Sequence, residues 1–192
     1  MLRSAESTTA YPWAPDGRGM DTIRVVWGSG TGPTALAAHD AALAAANVHE
    51  YNLRRVSSVI PAGARVERAG TAPDLGPVGG ALTVVEARAT VGPGGTVTGP
   101  DGAIHTDAGG RTVTAGLGWA SAEDGRGIFY EGSGTDPDAV RTEIERGLAA
   151  GRDLREWTAA REEQVLETAD AAVGGYATAV VLAVYGRSDP IL

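Results

Sequence analysis

The order of secondary-structure patterns between residues 23 and 60 constrains the fold of this chain most. Ile23–Trp27 is a short β-branched run that predicts a strand, and the glycine-rich segment Gly28–Gly32 after it predicts a turn. Residues 35–46 are mostly alanine, which favours a helix. Tyr51–Ile60 then predicts a second strand. A strand, a helix and a strand in succession indicate a helix packed on a sheet.

The glycine-rich segment Gly28–Gly32 has two interpretations. A loop between a strand and a helix is a common place for a bound phosphate, but the spacing here is G-x-G-x-G and not G-x-G-x-x-G. The other interpretation is a requirement of the backbone, such as a tight turn or close packing. Thr34, just after the segment, is suited to be the N-cap of the helix, and Pro61 ends the pairing of the second strand.

Strand patterns dominate the rest of the chain. They predict strands over Gly80–Thr90, Arg111–Ala120, Gly127–Gly132 and Tyr176–Tyr185. Residues 91–110 are dense in glycine and predict a long hairpin loop or an insertion.

Two further segments have helical patterns. Asp136 as N-cap and Pro137 as the first helical residue predict a helix start, and the helix extends to Gly151 with one apolar face, formed by Val140, Ile144 and Leu148. Glu156–Ala172 is helical by propensity alone. The sum predicts a single α/β (α+β) domain over residues 21–192, a layered sandwich of β-sheet covered by helices, after a flexible tail at residues 1–20.

Two absences in the composition exclude classes of chemistry. The chain has no cysteine, which excludes disulfides, thiolate catalysis and cysteine-ligated metals. All 16 basic residues are arginine, and without lysine the chain cannot hold pyridoxal phosphate as a Schiff base. Its three histidines, His39, His49 and His105, have no paired spacing, so we expect no metal site.

Charge and hydropathy limit the partners. The formal net charge of -8 disfavours nucleic acid and anionic membrane surfaces. No apolar stretch reaches the length of about 18 residues that a membrane span needs. Segment 1–20 lacks the apolar core of a secretory signal, and we therefore expect a cytoplasmic protein.

The dipeptide Ser57-Ser58 stands in a strand-like run, Asn52-Leu-Arg-Arg-Val-Ser-Ser-Val-Ile-Pro61. Two acidic residues elsewhere are candidates to act with it. Asp40, on the alanine-rich helix, is either a solvated surface carboxylate or one that holds a cationic group. Glu131, at the end of an apolar strand, is either a surface residue or a proton donor beside a reactive group.

Several of these motifs, in their relative order, resemble the pyruvoyl-dependent arginine decarboxylase family over Ile23–Tyr185. They are the Gly28–Gly30 segment, the helix from Thr34 through Leu36 and Asp40 to Leu43, Asn52-Leu53, Arg55–Pro61 and Tyr130-Glu131-Gly132. The resemblance implies the layered fold of the pyruvoyl-dependent arginine and histidine decarboxylases. It also implies strands in the final third, and we follow it there against the helical pattern of Glu156–Ala172. Residues 1–20 and 91–110 depart from the family.

The resemblance implies that the chain cleaves itself and makes its own cofactor. The Ser58 hydroxyl would attack the carbonyl of Ser57, and Ser58 would become a pyruvoyl group. The products would be a β chain, residues 1–57, and an α chain, residues 58–192. Asn52 matches the family asparagine that assists the cleavage. The pyruvoyl group would then decarboxylate L-arginine to agmatine through a Schiff base, without a metal or pyridoxal phosphate.

Substrate contacts also follow from the resemblance. Glu131 would protonate the substrate carbon after carbon dioxide leaves, and Asp40 would pair with the guanidinium. Leu36 and Leu43 would flank the aliphatic stem, and the new carboxylate of Ser57 would add negative charge. The family assembles as a homotrimer of αβ units. Two alternatives stay open: a pyruvoyl decarboxylase of another amino acid, and an uncleaved trimeric homologue without catalysis.

Overall fold

The computed structural model describes residues 22–99, 104–106, 110–123, 125–158 and 161–191, of which residues 104–106 are described by their backbone. The predicted tail, residues 1–20, lies outside the described residues. The described part contains the following strands and helices: β1 Thr22–Gly32, α1 Ala35–Ala45, β2 Asn52–Arg55, β3 Val59–Ile60, β4 Arg65–Gly70, β5 Ala81–Val91, β6 Thr96–Thr98, β7 Ile104–Thr106, β8 Thr112–Ser121, β9 Gly127–Gly134, α2 Pro137–Asp153, β10 Arg161–Asp170 and β11 Tyr176–Tyr185.

The strands form two sheets. The larger has seven strands in the order β4-β1-β11-β5-β6-β7, with β2 also paired to β5. Its centre is antiparallel, β1 with β11 and β11 with β5, whereas β4 and β2 join it in parallel. The smaller sheet has the order β10-β8-β9-β3 and is antiparallel throughout.

Side-chain alternation along β5 shows how the layers stack, because neighbouring residues of a strand face opposite sides of the sheet. Val85 and Ala87 belong to the core between the two sheets. Leu82 and Val84 belong to a second core between the larger sheet and α1. A third core lies between the smaller sheet and α2. The order is therefore helix, sheet, sheet, helix, which confirms the predicted sandwich of sheet covered by helices.

Helix α2 confirms its sequence signals. The Asp136 side chain accepts a hydrogen bond from the backbone N–H of Asp138, and Pro137 stands in the first turn. Val140, Ile144 and Leu148 are the buried residues of the helix, as predicted.

The predicted turn at Gly28–Gly32 is wrong, because the segment is a strand that packs against helix α1. These residues are the second half of β1, which continues to Gly32 and pairs with β11 from Ile23 to Gly32. A Cβ atom at Gly30 would lie 2.4 Å from the backbone nitrogen of Ala42, so helix and strand touch backbone to backbone. Close packing is thus the reason for the glycines, and a phosphate-binding loop at this place is wrong. Thr34 caps α1 as predicted.

Three other predictions are corrected or decided. The expected strand Tyr51–Ile60 is two short strands, β2 and β3, which lie in different sheets because the chain leaves β5 after Val56 and reaches β9 at Val59. Residues 161–170 form strand β10, so the helical pattern of Glu156–Ala172 is wrong and the expectation of a strand is confirmed. Residues 91–110 are more than a loop, because they include β6 and β7. Among the described residues, no helix is long and apolar enough to cross a membrane.

Candidate active site

The Ser57-Ser58 dipeptide lies where the chain passes from one sheet to the other. Arg55 is the last residue of β2 in the larger sheet, and the N–H of Val56 still donates to the Val84 carbonyl, 3.0 Å away. Val59 then pairs with Ile128 in the smaller sheet. The two serines span this change of partner. Their peptide bond therefore lies outside both hydrogen-bonded ladders. The carbonyl of Ser57 and the hydroxyl of Ser58 can then form local contacts.

Three hydrogen bonds define the surroundings of the dipeptide. The Ser58 hydroxyl donates to Glu131 Oε1 at 2.7 Å. The carbonyl of Ser58 accepts from the backbone N–H of Phe129 at 2.9 Å, and the carbonyl of Ser57 accepts from the N–H of Val59 at 2.8 Å. The last contact joins residues two apart, as in a γ-turn. The structure thus brings Ser58 and Glu131 together, although 73 residues separate them in the sequence.

Sequence reasoning missed Tyr185, which stands beside this dipeptide at the end of β11. Its hydroxyl donates to the Val59 carbonyl at 2.9 Å, and its ring meets Phe129 edge to face at 6.3 Å between centroids. Burial, and to a lesser extent the charge of Glu131, raise the pKa of Tyr185 to about 12. The phenol therefore stays protonated over the physiological range and acts as a donor. Its position at the end of an apolar strand gave no signal in the sequence.

Asn52 stands at the start of β2, apart from the hydrogen bonds of the dipeptide. Its side-chain amide donates to the Gly79 carbonyl at 2.7 Å, and its backbone N–H donates to the Gly80 carbonyl at 2.9 Å. Both bonds fix the start of β2 against the loop before β5. In the described contacts of a single chain, Asn52 is not bonded to Ser57 or Ser58.

A second carboxylate, Glu86 on β5, was also missed. Its side chain is 1% exposed, and His39 Nε2 lies 2.8 Å from its Oε1. Arg55 binds the other oxygen, Oε2, through Nε and Nη2. Burial would raise the pKa of Glu86, but the contacts with His39 and Arg55 outweigh it and hold that pKa below its ordinary value. A glutamate between two apolar residues, in the middle of a mainly apolar strand, was the signal that could have revealed this site.

Comparison with known proteins identifies the family. A profile of the pyruvoyl-dependent arginine decarboxylases matches residues 22–190. The chain belongs to this family. Proteins named pyruvoyl-dependent arginine decarboxylase from two strains of Halobacterium salinarum are each 49% identical to it over 174 residues, which is 90% of this chain and 98% of theirs. The family is one of carboxy-lyases.

The three family positions on α1 have different surroundings in this decarboxylase. Leu36 is 72% exposed. Leu43 is 7% exposed and packs in the core between α1 and the larger sheet. Asp40 is exposed, and within the described residues it has no ion-pair partner. Leu36 and Asp40 are therefore open to a ligand or to another chain.

Among the described side chains, no group of three or more histidine or acidic residues is placed to hold a metal ion. His39 is engaged by Glu86, and His49 is exposed. The side chain of His105 lies outside the described residues.

Proposed function

We propose that this chain is a self-processing decarboxylase that converts L-arginine to agmatine and carbon dioxide with a pyruvoyl group made from Ser58. The observation that carries the proposal is the 2.7 Å contact between the Ser58 hydroxyl and Glu131 at the crossover of the two sheets. A carboxylate at this distance can accept the hydroxyl proton. The family match over residues 22–190 supplies the reaction class.

Self-processing begins with the Ser58 hydroxyl. Its oxygen attacks the carbonyl carbon of Ser57 while Glu131 accepts the proton. The C–N bond between the serines then breaks as Glu131 returns the proton to the nitrogen, which gives an ester and a free amine at residue 58. The N–H of Val59, 2.8 Å from the Ser57 oxygen, supports the negative charge that develops there. Loss of the α-proton of residue 58 expels Ser57 as a free carboxylate and leaves dehydroalanine. Water then converts the dehydroalanine to a pyruvoyl group and ammonia.

The surroundings of residue 58 fit the pyruvoyl group. The Ser58 carbonyl accepts a hydrogen bond from the Phe129 N–H at 2.9 Å, and this bond would remain because the cleavage breaks the bond on the other side of the residue. The pyruvoyl group would supply a ketone that can condense with an amine and withdraw electrons during decarboxylation. A backbone donor on the adjacent carbonyl favours negative charge there. Glu131 remains beside residue 58 and is placed to deliver a proton to the substrate carbon.

Substrate recognition is assigned to the exposed face of α1. The unpaired Asp40 carboxylate suits a guanidinium, since two parallel hydrogen bonds match the two groups. Leu36 would contact the aliphatic stem, whereas Leu43 would act from the core behind it. The new carboxylate of Ser57 adds a second negative charge, and Asn52 would assist the cleavage.

We also propose a homotrimer of αβ units. Leu36 is 72% exposed, Val56 41% and Val59 50%. Apolar residues are thus exposed both on α1 and on either side of the two serines. A neighbouring chain would cover them and complete the site.

The test is the reaction itself. The purified protein is incubated with L-arginine labelled in the carboxyl carbon, and carbon dioxide and agmatine are quantified together. We expect equal amounts of both products, and none from Ser58→Ala. Products that form unchanged with Ser58→Ala would overturn the proposal.

Asp40→Ala then tests the substrate. We expect self-cleavage to continue and turnover of arginine to be lost, because the guanidinium loses its partner. If cleavage and arginine turnover both stay unchanged, Asp40 is not the guanidinium partner and the assignment of the substrate through it fails.

A further inference from the structure

Glu86 is a buried charge that the proposed reaction does not use. It is 6% exposed as a residue, and both of its carboxylate oxygens are occupied, Oε1 by His39 and Oε2 by Arg55. Burying a carboxylate is costly unless it is paired and hydrogen-bonded. An apolar residue of similar volume would often serve stability equally well. The charge therefore points to a requirement for a particular geometry.

The two partners of Glu86 come from the two elements that the proposed function needs. His39 is on α1 and directly precedes Asp40, the proposed guanidinium partner. Arg55 is the last residue of β2 and stands two residues before Ser57. One carboxylate on β5 is thus joined to the substrate-binding helix by one oxygen and to the self-processing segment by the other.

Helix α1 needs such a contact because small side chains form most of its packing surface against the sheet. Buried Ala38 and Ala42 lie on the glycines of β1, and small side chains of this kind offer few ridges to fix the position of a helix. Among the described residues, the bond from His39 to Glu86 is the one side-chain hydrogen bond that links α1 to the sheets. A directional bond to a buried charge fixes the helix along and around its axis, and with it the place of Asp40.

We propose that Glu86 is a positioning residue with two separable arms, a claim that rests on the proposed function. The His39 arm places Asp40 for the guanidinium. The Arg55 arm holds the end of β2, so that the Ser57 carbonyl lies in reach of the Ser58 hydroxyl. Glu86 itself touches neither the substrate nor the reacting atoms.

The first arm is tested with His39→Leu and His39→Gln. Leucine removes the donor to Glu86, and we expect KM for L-arginine to rise about tenfold, the equivalent of one hydrogen bond of about 1.4 kcal/mol. The rate of self-cleavage, followed by intact mass after pulse-labelled expression, should stay within about twofold of the wild type. Glutamine can still donate and should restore most of the affinity. Binding of agmatine to the uncleaved Ser58→Ala protein should weaken with His39→Leu by a similar factor.

The second arm is tested with Arg55→Leu and Arg55→Lys. We expect Arg55→Leu to slow self-cleavage about tenfold, with little change in KM for arginine once the protein has matured. Lysine keeps the charge but not the two neighbouring donors, and should restore the rate in part. Glu67→Gln is the matched control, because Glu67 forms an exposed pair with Arg65 on β4 of the same sheet. It should change neither quantity.

The outcomes are distinguishable. If the variants of both arms lower only the melting temperature, and their KM and cleavage rate match the wild type, the contacts of Glu86 are purely structural and the proposal is overturned. If each variant changes KM and cleavage by the same factors, the arms are not separate and that part of the proposal fails. A wild-type protein that neither cleaves nor decarboxylates arginine would overturn the proposed function, and the two-arm role with it.

Discussion

Glu131 and Glu86 are carboxylates of one fold with opposite surroundings. Glu86 is nearly inaccessible and has a cationic partner or a histidine on each oxygen. Glu131 is half-buried and accepts a hydrogen bond from the neutral hydroxyl of Ser58. Within the described part of the chain, Glu131 has no ion-pair partner. The pairing of Glu86 lowers its pKa below the ordinary value, so it stays ionised.

The difference in surroundings distinguishes a positioning role from a role in proton transfer. A carboxylate whose two oxygens each accept a hydrogen bond from a partner side chain is poorly placed to exchange a proton near neutral pH, because protonation would disrupt these contacts. A carboxylate beside a single hydroxyl can accept and return a proton. The comparison therefore supports the proposed proton transfer by Glu131 and the proposed positioning role of Glu86. Each of the following variants should affect mainly proton transfer or mainly positioning and stability.

The largest effect is expected from Glu131→Gln. The amide oxygen still accepts a hydrogen bond from Ser58, but the group can no longer donate or accept a catalytic proton. We expect self-cleavage to slow, and kcat per cleaved chain to fall by about 10²–10⁴-fold, with a much smaller change in KM and in melting temperature. Steady-state kinetics and thermal unfolding measure the three quantities. A kcat within a few-fold of the wild type would remove Glu131 from proton transfer.

Glu86→Ala should have the largest effect on stability. It leaves His39 and Arg55 without their shared acceptor and opens a space beneath α1. We expect the free energy of unfolding to fall by about 1–3 kcal/mol, at the low end if the half-exposed Arg55 turns to solvent. Urea unfolding of the Ser58→Ala background measures this without interference from cleavage. The matched variant Glu67→Gln, in an exposed pair, should cost much less.

Acid should weaken the contribution of Glu86. Its pKa in the folded chain is lower than its ordinary value of 4.5, so its stabilisation is present above pH 4.5 and is lost as the pH falls through the lower, folded value. The difference in the free energy of unfolding between wild type and Glu86→Gln should therefore be largest above pH 4.5 and should decrease as the pH falls below this value. A difference that grows on acidification would contradict the assignment of Glu86 as an ionised anchor.

Tyr185→Phe should have the smallest effect. The substitution keeps the ring against Phe129 and removes the hydrogen bond to the Val59 carbonyl. We expect a loss of about 0.5–1 kcal/mol and a self-cleavage rate lower by about two- to fivefold. The raised pKa of about 12 predicts that the contribution of the phenol is complete below pH 10 and is lost as the pH rises towards 12. Tyr176→Phe, at the other end of β11, is the control and should leave the self-cleavage rate unchanged.

The sequence was most informative where a motif is contiguous or a periodicity is strong. The apolar spacing of Val140, Ile144 and Leu148 predicted the buried face of α2, and Tyr176–Tyr185 predicted β11 with its bounds. The serine pair was found because it stands in a short, specific run. The capping signals at Thr34 and Asp136 also correspond to the helix starts.

Contacts between distant residues could not be predicted in this way. The glycines of β1 were interpreted as a turn because glycine favours turns, whereas here they make room for the backbone of α1. His39 and Glu86 are 47 residues apart, and nothing in either local pattern indicates the other. Tyr51–Ile60 has a uniform strand pattern, and only the pairing with β5 and then β9 shows that it changes sheets.

Intact-mass spectrometry of the purified wild-type protein tests the central claim, that Ser58 is the residue at which the chain cuts itself. The account predicts two fragments, residues 1–57 and 58–192, with the larger one beginning in a pyruvoyl group that blocks N-terminal sequencing. Ser58→Ala should remain a single chain. An intact wild-type chain of 192 residues, or a cut at another bond, would contradict it.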